Sequence, residues 1–156
     1  MEQSDWETPA CANWVATLDR AVLAAPRPVV LAAHSLGCAT IAHWAAQATP
    51  AALARVRGAL LVAPSDVEAV SYPPGTIGFA PMPDAPLPFP SIVVVSTNDE
   101  YVTPERAREF AHRWGSRVVD IGARGHINSA STLGDWPSGQ RLLDELLGGG
   151  QGVNEQ

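Results

Sequence analysis

Residues 28–40 read P-V-V-L-A-A-H-S-L-G-C-A-T, an order of residue types that predicts a strand, a tight turn and a helix. Positions 29–33 form a short apolar run with no charge, as in a parallel strand covered on both faces. The run stops at His34-Ser35-Leu36-Gly37, and a helical pattern begins at once. A serine on a sharp turn between a buried strand and a helix is the arrangement that lifts a hydroxyl clear of a sheet. The helix that follows points its N-terminal end, with free backbone N–H groups, at the same spot. Strand and helix run close together at such a turn, so the residues flanking the serine must be small. Gly37 meets that need, and Ala33 makes the pattern A-x-S-x-G where G-x-S-x-G is usual. The alternative is that Ser35 is an ordinary N-cap of the helix.

Outward from this turn, further apolar runs at 59–63, 92–96 and 118–121 alternate with amphipathic stretches at about 36–48, 104–114 and 139–147. The alternation predicts β-α units around a mainly parallel sheet in a three-layer α/β arrangement. Thr8-Pro9 offers an N-cap and first-turn proline to a helix whose Cys11, Trp14, Val15, Leu18 and Val22 share one face. Thr103-Pro104 repeats that start, with Ala107, Phe110, Ala111 and Trp114 as the buried stripe and Gly115 as the stop. Ser138 is the expected cap of the last helix. One domain is expected over 1–147, with a disordered tail at 148–156. The segment 64–90 holds more than half of the chain's 14 prolines, which excludes regular helix or central strand. Tyr72, Ile77, Phe79, Met82, Leu87 and Phe89 make it too apolar for a free linker. It is expected to be an ordered excursion over the carboxyl edge of the sheet, shaping a pocket.

Composition narrows the classes. At 156 residues, 46% hydrophobic and 17% charged, the chain fits one globular core. A formal net charge of −6 provides no basic stripe for nucleic acid. No apolar stretch reaches the length of a membrane span, and Met1-Glu2-Gln3-Ser4-Asp5 is not a signal peptide. Cys11 and Cys38 suggest neither a disulfide framework nor a zinc site, so the reducing cytoplasm is the expected compartment. No cofactor or metal is implied, and the oligomeric state is not readable.

A nucleophilic serine needs a base, and the base needs an acceptor to orient it. Asp99 follows the third run in Ser96-Thr97-Asn98-Asp99-Glu100, and His126 follows the fourth in Gly122-Ala123-Arg124-Gly125-His126. Ser35, Asp99 and His126 therefore all lie beyond the carboxyl ends of parallel strands, where open α/β sheets carry their sites. Their chain order is that of α/β-hydrolases. In this reading His126 is the general base, Asp99 orients it, and the Leu36 N–H supplies one oxyanion donor. The small-molecule substrate would carry an acyl group. Asp66 is the rival acid, and His126 as a solvated loop histidine is the bland alternative. His34 reads as a packing residue of the turn, His43 and His112 as helix histidines. Cys38 reads as buried filler, with a thiol nucleophile as its rival. Trp136-Pro137 either lines the pocket or anchors the fold.

Several motifs together carry a family resemblance: Asp5-Trp6-Glu7-Thr8-Pro9 with Trp14, Ala33-His34-Ser35-Leu36-Gly37, Leu61-Val62-Ala63-Pro64-Ser65-Asp66-Val67-Glu68, Pro86-Leu87-Pro88-Phe89-Pro90-Ser91, Ser96-Thr97-Asn98-Asp99-Glu100-Tyr101, and Gly125-His126-Ile127-Asn128 with Leu133-Gly134-Asp135-Trp136-Pro137. With these the chain resembles the serine hydrolase family of retinoblastoma-binding protein 9 and its bacterial relatives, small α/β-hydrolases without a large cap. The resemblance runs nearly the whole length, to about Leu147. It implies hydrolysis of esters or small amides without a cofactor, and its triad falls on Ser35, Asp99 and His126. The family's Leu-x-Cys-x-Glu partner motif is not matched, since Leu36-Gly37-Cys38-Ala39-Thr40 lacks the glutamate.

The resemblance also implies an extra strand and a glycine-rich loop ahead of the Asp5-Trp6 motif, and nothing before Pro28 reads as a buried strand. The strand at 29–33 should be central, yet no run in the sequence is available to pair with its outer side. The expectation is an N-terminally incomplete version of the hydrolase, poorly soluble and nearly inactive, with one oxyanion donor where loss of one costs on the order of 10²–10³ in turnover. A non-catalytic interaction protein that keeps the hydrolase shape, or an inactive truncated form, is the rival reading.

Overall fold

The computed structural model describes residues 1–148. Helix α1 (Cys11–Ala24), strand β1 (Val29–His34), helices α2 (Leu36–Gln47) and α3 (Pro50–Leu53), and strands β2 (Val56–Val62) and β3 (Ser91–Val95) are followed by α4 (Pro104–Arg113), β4 (Arg117–Asp120) and α5 (Pro137–Gly148). The four strands are parallel and lie in the order β1-β2-β3-β4. This is the α/β-hydrolase-like, mainly parallel sheet expected from the alternating runs, and each run matches a strand to within a few residues.

Side-chain alternation divides the strands between two cores. Ala59, Leu61, Val93 and Val95 face α1, α2 and α4, among Trp14, Trp44, Phe110 and Trp114. Leu60, Val62, Ile92 and Val94 face the other way, toward Leu146 of α5. Helix, sheet and helix therefore form three layers, and α5 approaches closely because β2 carries Gly58. A Cβ there would lie 2.9 Å from Leu146 Cδ2. Among the described residues β1 pairs only with β2, so the strand that leads into the Ser35 turn stands at a sheet edge.

Three local expectations are corrected. α1 starts at Cys11 with Ala10 as its cap, not at Thr8-Pro9. Thr8 bonds Asp5 instead, and Ile77 donates to the Pro9 carbonyl while accepting from Cys11 N–H. That tertiary bridge holds residues 9–11 extended and delays the helix. α5 starts at Pro137, one residue before the expected cap Ser138; Trp136, at φ 44°, makes the turn into it. The Pro-rich segment leaves the carboxyl edge early. From Ile77 to Phe89 it crosses the helical face, burying Phe79, Met82 and Phe89, because Phe79 and Pro83 carbonyls accept from His43 and Trp114. Its beginning borders Ser35 through the Ser65 hydroxyl. By contrast Thr103 caps α4 as expected, accepting from Arg106 N–H at 3.2 Å. Gly115 follows α4 at φ 67°. The tail expected at 148–156 lies outside the described residues except for Gly148.

Candidate active site

The turn after β1 puts Ser35 at φ 56° and ψ −122°, a region that side-chain-bearing residues rarely occupy. Its N–H donates to Val62 of the neighbouring strand at 2.9 Å, and its carbonyl accepts from Cys38 at 3.0 Å, which starts α2. The side chain makes no capping bond, so the N-cap reading of Ser35 does not describe this turn. Ser35 Oγ lies instead 2.8 Å from His126 Nε2 and 2.7 Å from Ser65 Oγ. The demand for small neighbours is visible: a Cβ on Gly37 would sit 3.3 Å from the Ala33 Cβ. Leu36 is the first residue of α2, so its N–H has no partner within the helix.

β3 and β4 deliver the other two residues. His126 Nδ1 is 2.9 Å from each Asp99 oxygen, and the Asp99 side chain is fully enclosed. Asp99 Oδ1 also accepts from Tyr101 N–H at 2.9 Å. With the Nδ1 proton directed at a carboxylate, Nε2 is left as the acceptor for the Ser35 hydroxyl. His126 is 8% exposed, which excludes the solvated-loop alternative. Asp66, the rival acid, is 3.1 Å from Arg106 Nε, in a cluster that includes Glu68 and Glu109; it pins the start of the Pro-rich segment to α4.

Side chains that carried little signal in the sequence hold the two loops in register. Ser96 Oγ accepts from Arg124 N–H at 2.9 Å and Asn98 Oδ1 from Gly125 N–H at 2.7 Å, so the Asp99 and His126 loops are stitched together. Tyr101 lies against the His126 ring, centroids 4.6 Å apart, with His34 at 4.7 Å. The polar run Ser96-Thr97-Asn98 after an apolar strand was a usable signal for these contacts; Ser65 had none.

His34 does more than pack. Its Nε2 donates to the His126 carbonyl at 2.7 Å, joining the turn to the histidine loop. Burial holds its pKa below the ordinary histidine value, and the bond to the His126 carbonyl offsets only part of that effect. Burial pushes the Cys38 thiol well up, and it faces the Ala33 and Val62 carbonyls. A protonated, enclosed thiol is inert filler, not a nucleophile. Trp136 packs in the α5-side core, over Gly139, and also borders a hollow beside His34. Among the described residues no group of three or more His, Cys, Asp or Glu side chains is arranged to hold a metal, and no helix is long and apolar enough to cross a membrane. A groove of ≈720 Å³ follows the outer edge of β1 to Ser35, lined by Trp6, Trp14, Leu18 and Leu31.

Residues 1–145 match the family model described as serine hydrolase. The chain belongs to the serine hydrolase family. Among solved structures, this serine hydrolase is similar to a YdeN-like hydrolase from Pectobacterium atrosepticum, with 28% identity and a TM-score of 0.78 over 94% of this chain and 74% of that one. The ydeN gene product of B. subtilis shares the fold at 15% identity and a TM-score of 0.67, over 94% and 80% of the two chains. The type II thioesterase BorB from the borrelidin biosynthetic cluster shares it at 16% identity and a TM-score of 0.62, over 90% and 72%. No curated protein matches the serine hydrolase at a significant level.

Proposed function

We propose that this serine hydrolase cleaves small carboxylic esters or amides through a Ser35–His126–Asp99 triad and an acyl-enzyme. The reading is carried by one observation: an unbroken hydrogen-bonded chain from the strained serine through His126 to an enclosed carboxylate, at 2.8 and 2.9 Å. His126 takes the Ser35 proton as Oγ attacks the acyl carbon, then returns it to the leaving alcohol or amine. Asp99 fixes the tautomer and stabilises the imidazolium. The Leu36 N–H donates to the carbonyl oxygen as it gains negative charge. Water then repeats the sequence on the acyl-enzyme and releases the acid. The narrower kinship with retinoblastoma-binding protein 9 rests on the sequence motifs alone, and the two buried free cysteines are compatible with a cytoplasmic enzyme.

Pre-steady-state hydrolysis of 4-nitrophenyl acetate tests the reading. The expected result is a nitrophenolate burst stoichiometric with protein, absent in Ser35→Ala, with turnover down at least about a thousandfold in Ser35→Ala and His126→Ala. A wild-type chain with neither burst nor turnover would overturn catalysis by this chain and leave the rival readings.

A further inference from the structure

Ser35 Oγ has a second close partner that the triad does not use. Ser65, three residues beyond Val62 at the end of β2, is 1% exposed, and its hydroxyl lies 2.7 Å from Ser35 Oγ. Tyr72 lies beside Ser65, and burial holds its phenol above the ordinary tyrosine value. The direction of the Ser35–Ser65 bond follows from the rest of the chain. His126 Nδ1–H faces Asp99, Nε2 accepts the Ser35 proton, and Ser35 therefore has only lone pairs to offer Ser65. Ser65 donates.

We infer that Ser65 is a positioning residue for the nucleophile: its buried hydroxyl donates to Ser35 Oγ and aims the one remaining Ser35 lone pair at the substrate. The inference rests on the proposed role of Ser35. An sp³ hydroxyl oxygen has four directions. At Ser35 one is the bond to Cβ, one carries the proton toward His126, and one lone pair is held by Ser65. The fourth is the lone pair free to attack. In acylation the proton passes to Nε2, that free pair forms the bond to the acyl carbon, and the carbonyl π pair moves to the oxyanion. Oγ then retains two lone pairs, one facing the new imidazolium N–H and one still facing Ser65. The Ser65 bond is therefore kept through the step without reorganisation, and it restrains the Ser35 side chain beforehand. Arg106, through Asp66, fixes the backbone next to Ser65, so the donor sits on a pinned segment.

Ser65→Ala and Ser65→Cys test the inference together. Alanine removes the hydroxyl and leaves space, whereas cysteine fills the site with a bulkier weak donor, so a loss shared by both follows the hydrogen bond and not the packing. Both variants are measured for kcat and KM on 4-nitrophenyl acetate, for the rate of fluorophosphonate labelling at Ser35, and for thermal midpoint. The expected result is a fall in kcat and labelling rate of about tenfold in both (~1.4 kcal/mol). KM should change less than twofold, and Ser65→Cys should keep the wild-type midpoint. Wild-type rates in Ser65→Cys, or losses confined to KM or to stability, would overturn the positioning role while leaving Ser35 as nucleophile. Failure of the wild-type chain to label at Ser35 would overturn the nucleophile itself, and this inference with it.

Discussion

Ser35 stands at φ 56°, where a residue with a Cβ sits at a cost of order 1–3 kcal/mol that its surroundings must offset. The surroundings that do so are tight, which makes them testable. Gly37→Val places a branched side chain where even one carbon would meet the Ala33 Cβ at 3.3 Å. It should lower stability by about 1–3 kcal/mol in denaturant melts, and adding Ala33→Gly should recover part of the loss. Full additivity of the two changes would mean that the contact does not limit the turn. The cysteines give a second test. Burial pushes Cys11 up to about 11 and Cys38 higher still, so iodoacetamide at neutral pH should leave native turnover unchanged, and rapid inactivation would reopen the thiol reading. His34 gives a third. Its folded pKa lies below its ordinary value because of burial, which outweighs the bond to the His126 carbonyl that favours protonation. The unfolded state therefore binds the proton more readily. Stability should be intact above the ordinary value and should fall as pH drops from there through the folded value. His34→Asn should flatten the fall in melting temperature between about pH 7 and pH 5; an unchanged slope would remove His34 as its source.

At the scale of elements, the geometry of the candidate site depends on two loops held together by backbone bonds to Ser96 and Asn98. Asn98→Ala leaves Gly125 N–H without its 2.7 Å acceptor, one residue before His126. The expected effect is a loss of roughly 1 kcal/mol in stability with a severalfold drop in kcat; an unchanged kcat would show that the loop is positioned otherwise. These loops also show what the sequence made legible. The four strands could be read because apolar runs between turn residues leave no other option, and the placement of Ser35, Asp99 and His126 because each follows such a run. Local signals failed where a distant contact outweighed them. Ile77 claims the backbone at Pro9 and Cys11, overriding the Thr8-Pro9 helix start, and Trp114 and His43 draw the Pro-rich segment across the helical face. Ser65 was invisible because nothing in A-P-S-D marks a hydroxyl that meets Ser35 only when β1 and β2 pair.

For the whole molecule, the open edge of β1 is the least balanced feature. Its backbone groups on that side have no strand partner among the described residues, and an apolar groove of ≈720 Å³ runs beside it. Edges of this kind promote pairing between chains unless charge or a bulge protects them. Sedimentation velocity should therefore show association that grows with concentration, reduced by Ala32→Lys, which places a charge at an exposed β1 position. A wild-type chain that is monomeric at every concentration would show that the edge is covered. The proposal as a whole stands most directly on the identity of one atom, Ser35 Oγ. Treating the chain with a fluorophosphonate and mapping the adduct by peptide mass spectrometry reads that atom out. A single phosphonylated residue at Ser35, lost in Ser35→Ala and strongly slowed in His126→Ala, is the expected result; an adduct on another residue, or labelling that survives Ser35→Ala, would contradict it.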